Sequence, residues 1–108
     1  MLYKSLKHFQ LYKLKLSGYH NSSAGDSLTG THGGRSFTTR DKDNDSYAAS
    51  NCASKYYGAW WYGGCHSSNL NALNKNNATA DYALSITWSS WRGQRHSLKS
   101  VQMAIKKN

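Results

Sequence analysis

Apolar residues alternate with polar ones in three segments, and this period of two is typical of a half-buried β-strand. The segments lie at residues 12–16, 84–88 and 101–105. Their apolar faces comprise Tyr12, Leu14 and Leu16; Leu84, Ile86 and Trp88; and Val101, Met103 and Ile105. A shorter strand is predicted around Phe37 to Thr39.

Glycine-rich and small polar stretches separate these strands, as loops do. A short helix is predicted either at about 48–55 or at 68–73, and the chain contains no proline. The pattern therefore predicts an α+β fold that is loop-rich, with a small, mainly antiparallel sheet, in a single domain over residues 1–108. Irregular loops this long need a metal, a disulfide or a functional role to hold them.

The net charge of the chain bears on which partners it could bind. Fourteen Lys and Arg residues against five acidic residues give a net charge of +9, which favours nucleic acid, acidic glycans or anionic surfaces as partners. The lysines do not cluster, so we interpret them as a solvated face. No stretch is apolar enough for a transmembrane span. Lysines also interrupt the N-terminal stretch, so secretion would need an export signal upstream.

Three of the five acidic residues, Asp41, Asp43 and Asp45, stand within five positions. Closely spaced carboxylates suit Ca²⁺, which takes six to eight oxygen ligands. An EF-hand loop starting at Asp41 would need Gly at position 46 and Glu at position 52, where the chain has Ser46 and Cys52. The spacing leaves two interpretations open, a calcium site of another kind and a solvated turn in which aspartates bond to main-chain N–H groups.

Signatures of catalysis are missing from the sequence. It contains neither a GxSxG nucleophile motif nor a phosphate loop. Each of the five histidines fits a surface or hydrogen-bonded role better than that of a ligand. Cys52 and Cys65 form no CxxC motif, which argues against zinc. Sequons at Asn21, Asn44 and Asn77 fit a secreted glycoprotein.

Several motifs then occur in one order: FTTRDKDND, NCA, GAWWY, CHSSNLN, ITWSSWRG and HSLKSVQMAIK. Together they resemble the C-terminal half of a fibrinogen-related domain. This family includes fibrinogen chain ends, ficolins, tachylectins and angiopoietin-type ligands. The resemblance runs from about Tyr12 to Lys107. Each motif alone would be weak, and the combination is specific. A full domain is about twice this length, so the resemblance implies a partial domain.

The resemblance implies an extracellular recognition module that binds calcium and has no enzymatic activity. It also implies a disulfide between Cys52 and Cys65. The implied calcium ligands are the side chains of Asp43 and Asp45 and main-chain carbonyls near Tyr47 and Ala49, with Asp41 supporting the loop.

Lectin-like members of this family hold an acetyl group in a small pocket beside the calcium loop. By position, the pocket falls at a cis peptide between Gly64 and Cys65, with main-chain N–H groups facing the ligand. The other implied ligand-binding residues are Tyr56, His66, Tyr82 and Ala83, where the tyrosines form walls, His66 faces the acetyl oxygen and Ala83 forms the floor. An aromatic cup for a methyl group and N–H donors for a carbonyl oxygen are chemically sensible.

Two functions follow as hypotheses. The first is a secreted, calcium-dependent lectin-like module for acetylated carbohydrates or glycoproteins, oligomeric in a full-length context. The alternative is a protein-interaction module of the receptor-ligand, adhesion or clotting type. A nucleic-acid partner is not expected; it would show binding that falls steeply with salt and ignores calcium.

Overall fold

The computed structural model describes residues 12–18, 23–76 and 78–106; the sequons at Asn21 and Asn77 lie outside them. Helices of the described part are α1 (Thr29–His32), α2 (Cys52–Tyr56) and α3 (Ser89–Arg92). Pairing of β type in the same ranges consists of four isolated antiparallel bridges: Thr38–Trp60, Thr39–Lys42, Ser68–Trp88 and Thr79–His96. None of the helices described here has the length and apolar character needed to cross a membrane.

The predicted sheet does not form within these residues, because no predicted strand has a continuous partner. Leu14 exchanges two backbone hydrogen bonds with the facing segment, from its N–H to Arg35 O (3.0 Å) and from Gly34 N–H to its carbonyl (2.8 Å). The pairing does not extend to Leu16, which is exposed. The strand predicted at 37–39 is reduced to two isolated bridges, Thr38 with Trp60 and Thr39 with Lys42.

The other two strand predictions fail for opposite reasons. Within 84–88, Ser85 and Thr87 are as buried as Ile86, so both faces of the segment are covered and the alternation does not mark an inside and an outside. Residues 101–105 form no β-bridge, and their main-chain groups bond to no other described residue. The apolar side chains there stay 38–66% exposed.

Helix α2 shows why the predicted bounds at 48–55 were wrong at the start. The side chain of Asn51 accepts hydrogen bonds from two N–H groups of the first turn, at 2.7 and 3.2 Å, which is a standard N-cap. Residues 48–50 therefore form a turn before the helix. The other candidate, 68–73, is not helical, because Asn69 instead donates its N–H to Thr87 O at 3.0 Å.

Aromatic residues and the disulfide build the core. Trp60, Trp61 and Tyr62 are consecutive and all buried, and the two indole rings meet edge to face with centroids 5.0 Å apart. The predicted bridge between Cys52 and Cys65 is present, with Cα atoms 5.6 Å apart. Closing a loop of this length restricts the unfolded chain by about 3 kcal/mol in the entropic model.

One histidine is part of this core. His32 has no exposed surface, and its Nδ1–H donates to the carbonyl of Trp61 at 2.8 Å. Its Nε2 accepts N–H groups of Ser67 (3.1 Å) and Ser68 (3.3 Å). Burial lowers the pKa of His32, so the ring is neutral and can serve both as donor and as acceptor. It thereby fastens α1 to the segment that follows the disulfide.

Candidate functional site

The acidic loop is organised by one of its own carboxylates. Asp45 accepts the N–H of Tyr47 on Oδ1 and the N–H of Cys52 on Oδ2, both at 2.9 Å. Asp43 accepts the N–H of Asp45 on Oδ1 at 3.2 Å. Asp45 therefore closes the loop from its own position to the start of α2, whereas Asp43 makes a weaker, exposed contact.

The carboxyl groups of Asp43 and Asp45 lie close enough to interact, and this interaction affects the pKa of Asp45. Burial is the main cause that raises the pKa of Asp45; the N–H groups of Cys52 and Tyr47 oppose it, and the carboxyl of Asp43 raises it further. A cation bound beside two adjacent carboxylates would offset the electrostatic repulsion between them. Asp41 lies apart from this pair and accepts the hydroxyl of Thr39 at 2.7 Å, which lowers its pKa.

The oxygen atoms here fit a hard cation but do not form a complete side-chain cage. In the described part of the chain, no three His, Cys, Asp or Glu side chains converge as metal ligands do. Carbonyl oxygens must therefore supply part of any coordination shell. Those of Tyr47 and Ala49 accept no hydrogen bond from another described residue, so they are free for such a role.

Two asparagines that the sequence analysis did not single out as loop supports anchor this loop to its surroundings. Asn44 donates its side-chain N–H to Phe37 O, and Asn51 donates to Thr39 O, both at 2.9 Å. The N–H of Ser46 reaches Gly63 O at 3.2 Å. These bonds, with the disulfide, connect the acidic loop to the segment that carries Cys65.

Tyr56, His66 and Ala83 of the predicted acetyl pocket form a chain of contacts next to Cys65. The Gly64–Cys65 peptide is cis, as the resemblance implies. The Tyr56 ring meets the His66 ring edge to face at 5.1 Å. His66 Nε2 lies 3.0 Å from the carbonyl oxygen of Ala83. Ala83 is 4% exposed, and the neighbouring Tyr82 is 56% exposed.

The bond between His66 and Ala83 determines what this histidine can do. A carbonyl oxygen only accepts, so Nε2 carries the hydrogen and Nδ1 of the neutral ring has a lone pair. Burial is the main cause that lowers the pKa of His66 to about 4, so the ring stays neutral near pH 7. In this form Nδ1 is not a donor for an acetyl oxygen, and this atom is buried without a hydrogen-bond partner among the described residues.

Main-chain donors are present instead. The N–H groups of Cys65 and His66 have no acceptor among the described residues. They are consecutive, and the side chain of His66 packs edge to face on the Tyr56 ring. A pair of N–H groups next to an aromatic surface suits a small ligand with one carbonyl oxygen and one methyl group.

Three further residues of this region were missed by sequence reasoning. The side-chain amide of Gln94 donates to the main-chain carbonyl of His66 at 3.1 Å. The main-chain carbonyl of Gln94 accepts the N–H of Ala83 at 2.7 Å. Lys55 and Arg95 lie over tyrosine rings of the pocket. No motif marks them, because Lys55 is placed by helix α2 and Gln94 and Arg95 by the turn that follows α3.

A second surface feature lies elsewhere. A shallow apolar groove of about 280 Å³ is lined by Ala24, Leu70, Trp88, Trp91, Leu98, Val101 and Gln102. Trp91 is 45% exposed there, and the Arg92 guanidinium stacks 4.5 Å from its ring centroid. An exposed tryptophan beside an arginine is typical of protein-binding surfaces.

This loop-rich chain, with a disulfide that joins an acidic loop to a small aromatic surface, has the features of a recognition domain. A family model of the C-terminal globular domain of fibrinogen beta and gamma chains matches residues 3–108. The chain therefore belongs to the fibrinogen C-terminal domain family. Domains of this family are generally non-enzymatic recognition modules and are typically extracellular.

Known proteins agree with this assignment. Fibrinogen C domain-containing protein 1 of Xenopus tropicalis is 50% identical over 95 residues, which cover 88% of this chain and 20% of that protein. The fibrinogen-like globe domain of human ANGPTL2 is 39% identical with a TM-score of 0.72, covering 85% of this chain and 42% of that one. Lamprey fibrin D-dimer, complexed with the peptide Gly-His-Arg-Pro-amide, is 28% identical with a TM-score of 0.55, covering 78% and 31%. The chain thus spans about a fifth of the length of the curated relative.

Proposed function

We propose that this domain is an extracellular, calcium-binding recognition module of lectin type that binds N-acetylated sugars or glycans. The ligand surface comprises Tyr56, Cys65, His66, Tyr82 and Ala83. The observation that carries the proposal is the pair of consecutive N–H groups at Cys65 and His66 that have no acceptor among the described residues, next to a His66 side chain packed on the Tyr56 ring. They would receive the acetyl oxygen, while Tyr56 and Tyr82 contact the methyl group.

Calcium is the second part of the proposal. Asp43 and Asp45 would hold the ion with their carboxylates, and the carbonyls of Tyr47 and Ala49 would add to the shell. Oxygen donors of this kind are the ones that Ca²⁺ prefers. The adjacent carboxyl groups and the unbonded carbonyls support this role. Bound calcium would stiffen the loop that leads through the disulfide to Cys65.

The test is a calorimetric titration with N-acetylglucosamine and with glucosamine, each in calcium and in EGTA. We expect N-acetylglucosamine to bind more tightly, and binding to weaken when calcium is removed. Tyr82→Ala should weaken binding by about 5- to 150-fold, since loss of an aromatic contact costs roughly 1–3 kcal/mol. Trp91→Ala removes another exposed aromatic, from the groove elsewhere on the surface, and should have no effect. Equal affinity for the two sugars would contradict the acetyl pocket.

Protein recognition is the alternative, and the groove around Trp91 favours it. The lamprey fibrin relative is complexed with a peptide, and this groove offers apolar contact and a cation. In that case Trp91→Ala, and not Tyr82→Ala, would abolish capture of the partner. Tyr82→Ala tests sugar binding at the acetyl pocket, and Trp91→Ala tests protein binding at the groove. The two variants therefore separate the two hypotheses.

A further inference from the structure

The sequon Asn44-Asp45-Ser46 lies in the acidic loop, and its acceptor amide is held within the domain. Asn44 Nδ2 donates to the carbonyl of Phe37 at 2.9 Å. A carbonyl oxygen only accepts, so the nitrogen of the amide must face it. Asn44 itself is half-buried. The atom that N-glycosylation would modify is therefore already engaged in a hydrogen bond to the neighbouring segment.

The main chain of the sequon is held as well. The N–H groups of its three residues donate, in order, to Thr38 Oγ1 (3.0 Å), Asp43 Oδ1 (3.2 Å) and Gly63 O (3.2 Å). The first and last of these acceptors belong to other segments of the chain. A glycosyltransferase could not draw this tripeptide into its active site unless the loop opened first.

The segment that receives Asn44 belongs to the core. Thr38 has no exposed surface, and it exchanges two backbone hydrogen bonds with Trp60, at 2.9 and 3.1 Å. The ring of Phe37 packs edge to face on Trp61, with centroids 5.2 Å apart. The amide nitrogen carries two hydrogens, so a sugar on it would replace one of them and lie directly beside this packed segment.

We propose that N-glycosylation of Asn44 and closure of the acidic loop exclude each other: Asn44 accepts a glycan only before the domain folds, and the glycosylated chain does not close the loop. In the transfer, Asn44 Nδ2 loses one proton and forms a bond to C1 of an oligosaccharide carried on a lipid diphosphate. The bond from C1 to the diphosphate breaks, and the lipid diphosphate leaves. This inference depends neither on calcium nor on a sugar ligand, because both of its parts concern the acceptor amide.

Ser46 offers a matched control variant. Its hydroxyl completes the sequon, yet this residue is exposed and its hydroxyl bonds to no other described residue. Ser46→Ala therefore removes the acceptor signal, and it retains the amide of Asn44 and the main-chain bond from position 46 to Gly63. Asn44→Gln also removes the signal, but it displaces the amide that bonds to Phe37 and should lower the melting temperature.

The first experiment offers two forms of the full chain to a purified oligosaccharyltransferase with a lipid-linked oligosaccharide. One form is folded with its disulfide intact, and the other is unfolded, with both cysteines blocked as methyl disulfides. Ser23→Ala and Thr79→Ala, at exposed positions, remove the other two sequons from both forms. Mass spectrometry of the tryptic peptide 43–55 measures the sugar on Asn44. Since three main-chain bonds must open together, we expect the initial rate to be at least about tenfold lower for the folded form.

The second experiment refolds the glycosylated and the unmodified chain after the methyl groups are removed by reduction. We expect the unmodified chain to regain the Cys52–Cys65 disulfide and cooperative thermal unfolding, and the glycosylated chain to regain neither. The Ser46→Ala chain, taken through the same steps, should stay unmodified and refold as the parent does. It thereby controls for damage during transfer and reduction.

Each result decides the proposal. Equal rates of transfer to the folded and the unfolded form would overturn it, because the folded loop would then not protect Asn44. A glycosylated chain that regains the disulfide and the melting temperature of the parent would overturn it too. Absence of transfer to the unfolded form would mean that Asn44 is not an acceptor, which also contradicts the proposal. Slow transfer to the folded form together with failed refolding of the glycosylated chain would support it.

Discussion

The two proposed calcium-binding carboxylates should differ sharply when calcium is absent. Asp45→Ala removes the acceptor of two main-chain N–H groups, at Tyr47 and Cys52, each held at 2.9 Å. Hydrogen bonds to charged groups contribute about 1.5–3 kcal/mol each, and Asp45 is half-buried, so the loss should be about 3 kcal/mol. Asp43→Ala removes one exposed bond of 3.2 Å and should cost less than about 1 kcal/mol.

Thermal unfolding in EGTA and in excess calcium measures both effects. For a domain of this size, 1 kcal/mol shifts the melting temperature by about 4 °C. In EGTA we therefore expect a fall of about 12 °C for Asp45→Ala and less than about 4 °C for Asp43→Ala. Calcium at a hundredfold excess over Kd should stabilise the parent by about 2.7 kcal/mol and stabilise neither variant.

Two results would refute this reasoning. Equal destabilisation of the two variants in EGTA would mean that the main-chain bonds of Asp45 do not organise the loop. An undiminished calcium shift in both variants would mean that the ion, if it binds, uses other oxygens. Asp81→Ala, which changes an exposed aspartate outside the loop, is the matched control and should behave as the parent in both buffers.

Two further predictions concern the core and the pocket. Gly58→Ala should destabilise the domain by about 1–3 kcal/mol in urea unfolding, because the added Cβ would collide with the Tyr62 hydroxyl. The control Gly30→Ala adds a Cβ that meets no atom within 4 Å and should be neutral. Equal effects of the two substitutions would contradict the packing argument. Stability should also fall as pH drops from about 6.5 to 4, since His66 has its pKa lowered to about 4 and the unfolded state binds more protons in that window. The contribution is at most about 3 kcal/mol, and His66→Gln should flatten the pH dependence measured by urea unfolding; an unchanged slope would rule this cause out.

Sequence reasoning succeeded where a short motif carries the structure. The cysteine pair and the cis peptide at Gly64–Cys65 could be predicted from the resemblance, because the motifs that carry it include both cysteines. The clustered aspartates left a calcium site and a solvated turn open, and the structure shows that the Asp43 and Asp45 carboxyl groups interact. The double hydrogen bonding of Asp45 could not be predicted, since it depends on the path of the loop between Tyr47 and Cys52.

The strand predictions failed because alternation reports only one requirement of a strand. A strand also needs a neighbour to satisfy its main-chain groups, and 101–105 has none among the described residues. At 84–88 the polar residues Ser85 and Thr87 are buried like their apolar neighbours, which hydropathy alone does not anticipate. His32 was missed as a core residue for the same reason, because a histidine in a glycine-rich stretch resembles a surface loop.

What replaces a continuous sheet in this domain is a set of single side-chain connections, each between segments distant in sequence. His32 joins α1 to the residues after the disulfide, Asn51 joins α2 to the segment at 39–40, and the Tyr62 hydroxyl donates to Asn69 Oδ1 at 2.7 Å in the core. A ladder of backbone bonds shares the loss of one member among many, whereas a single buried connection leaves a polar group without a partner when it is broken. Substitutions at these few positions should therefore cost more stability than substitutions at the exposed apolar residues of 101–105, even though the latter have the sequence pattern of a core strand.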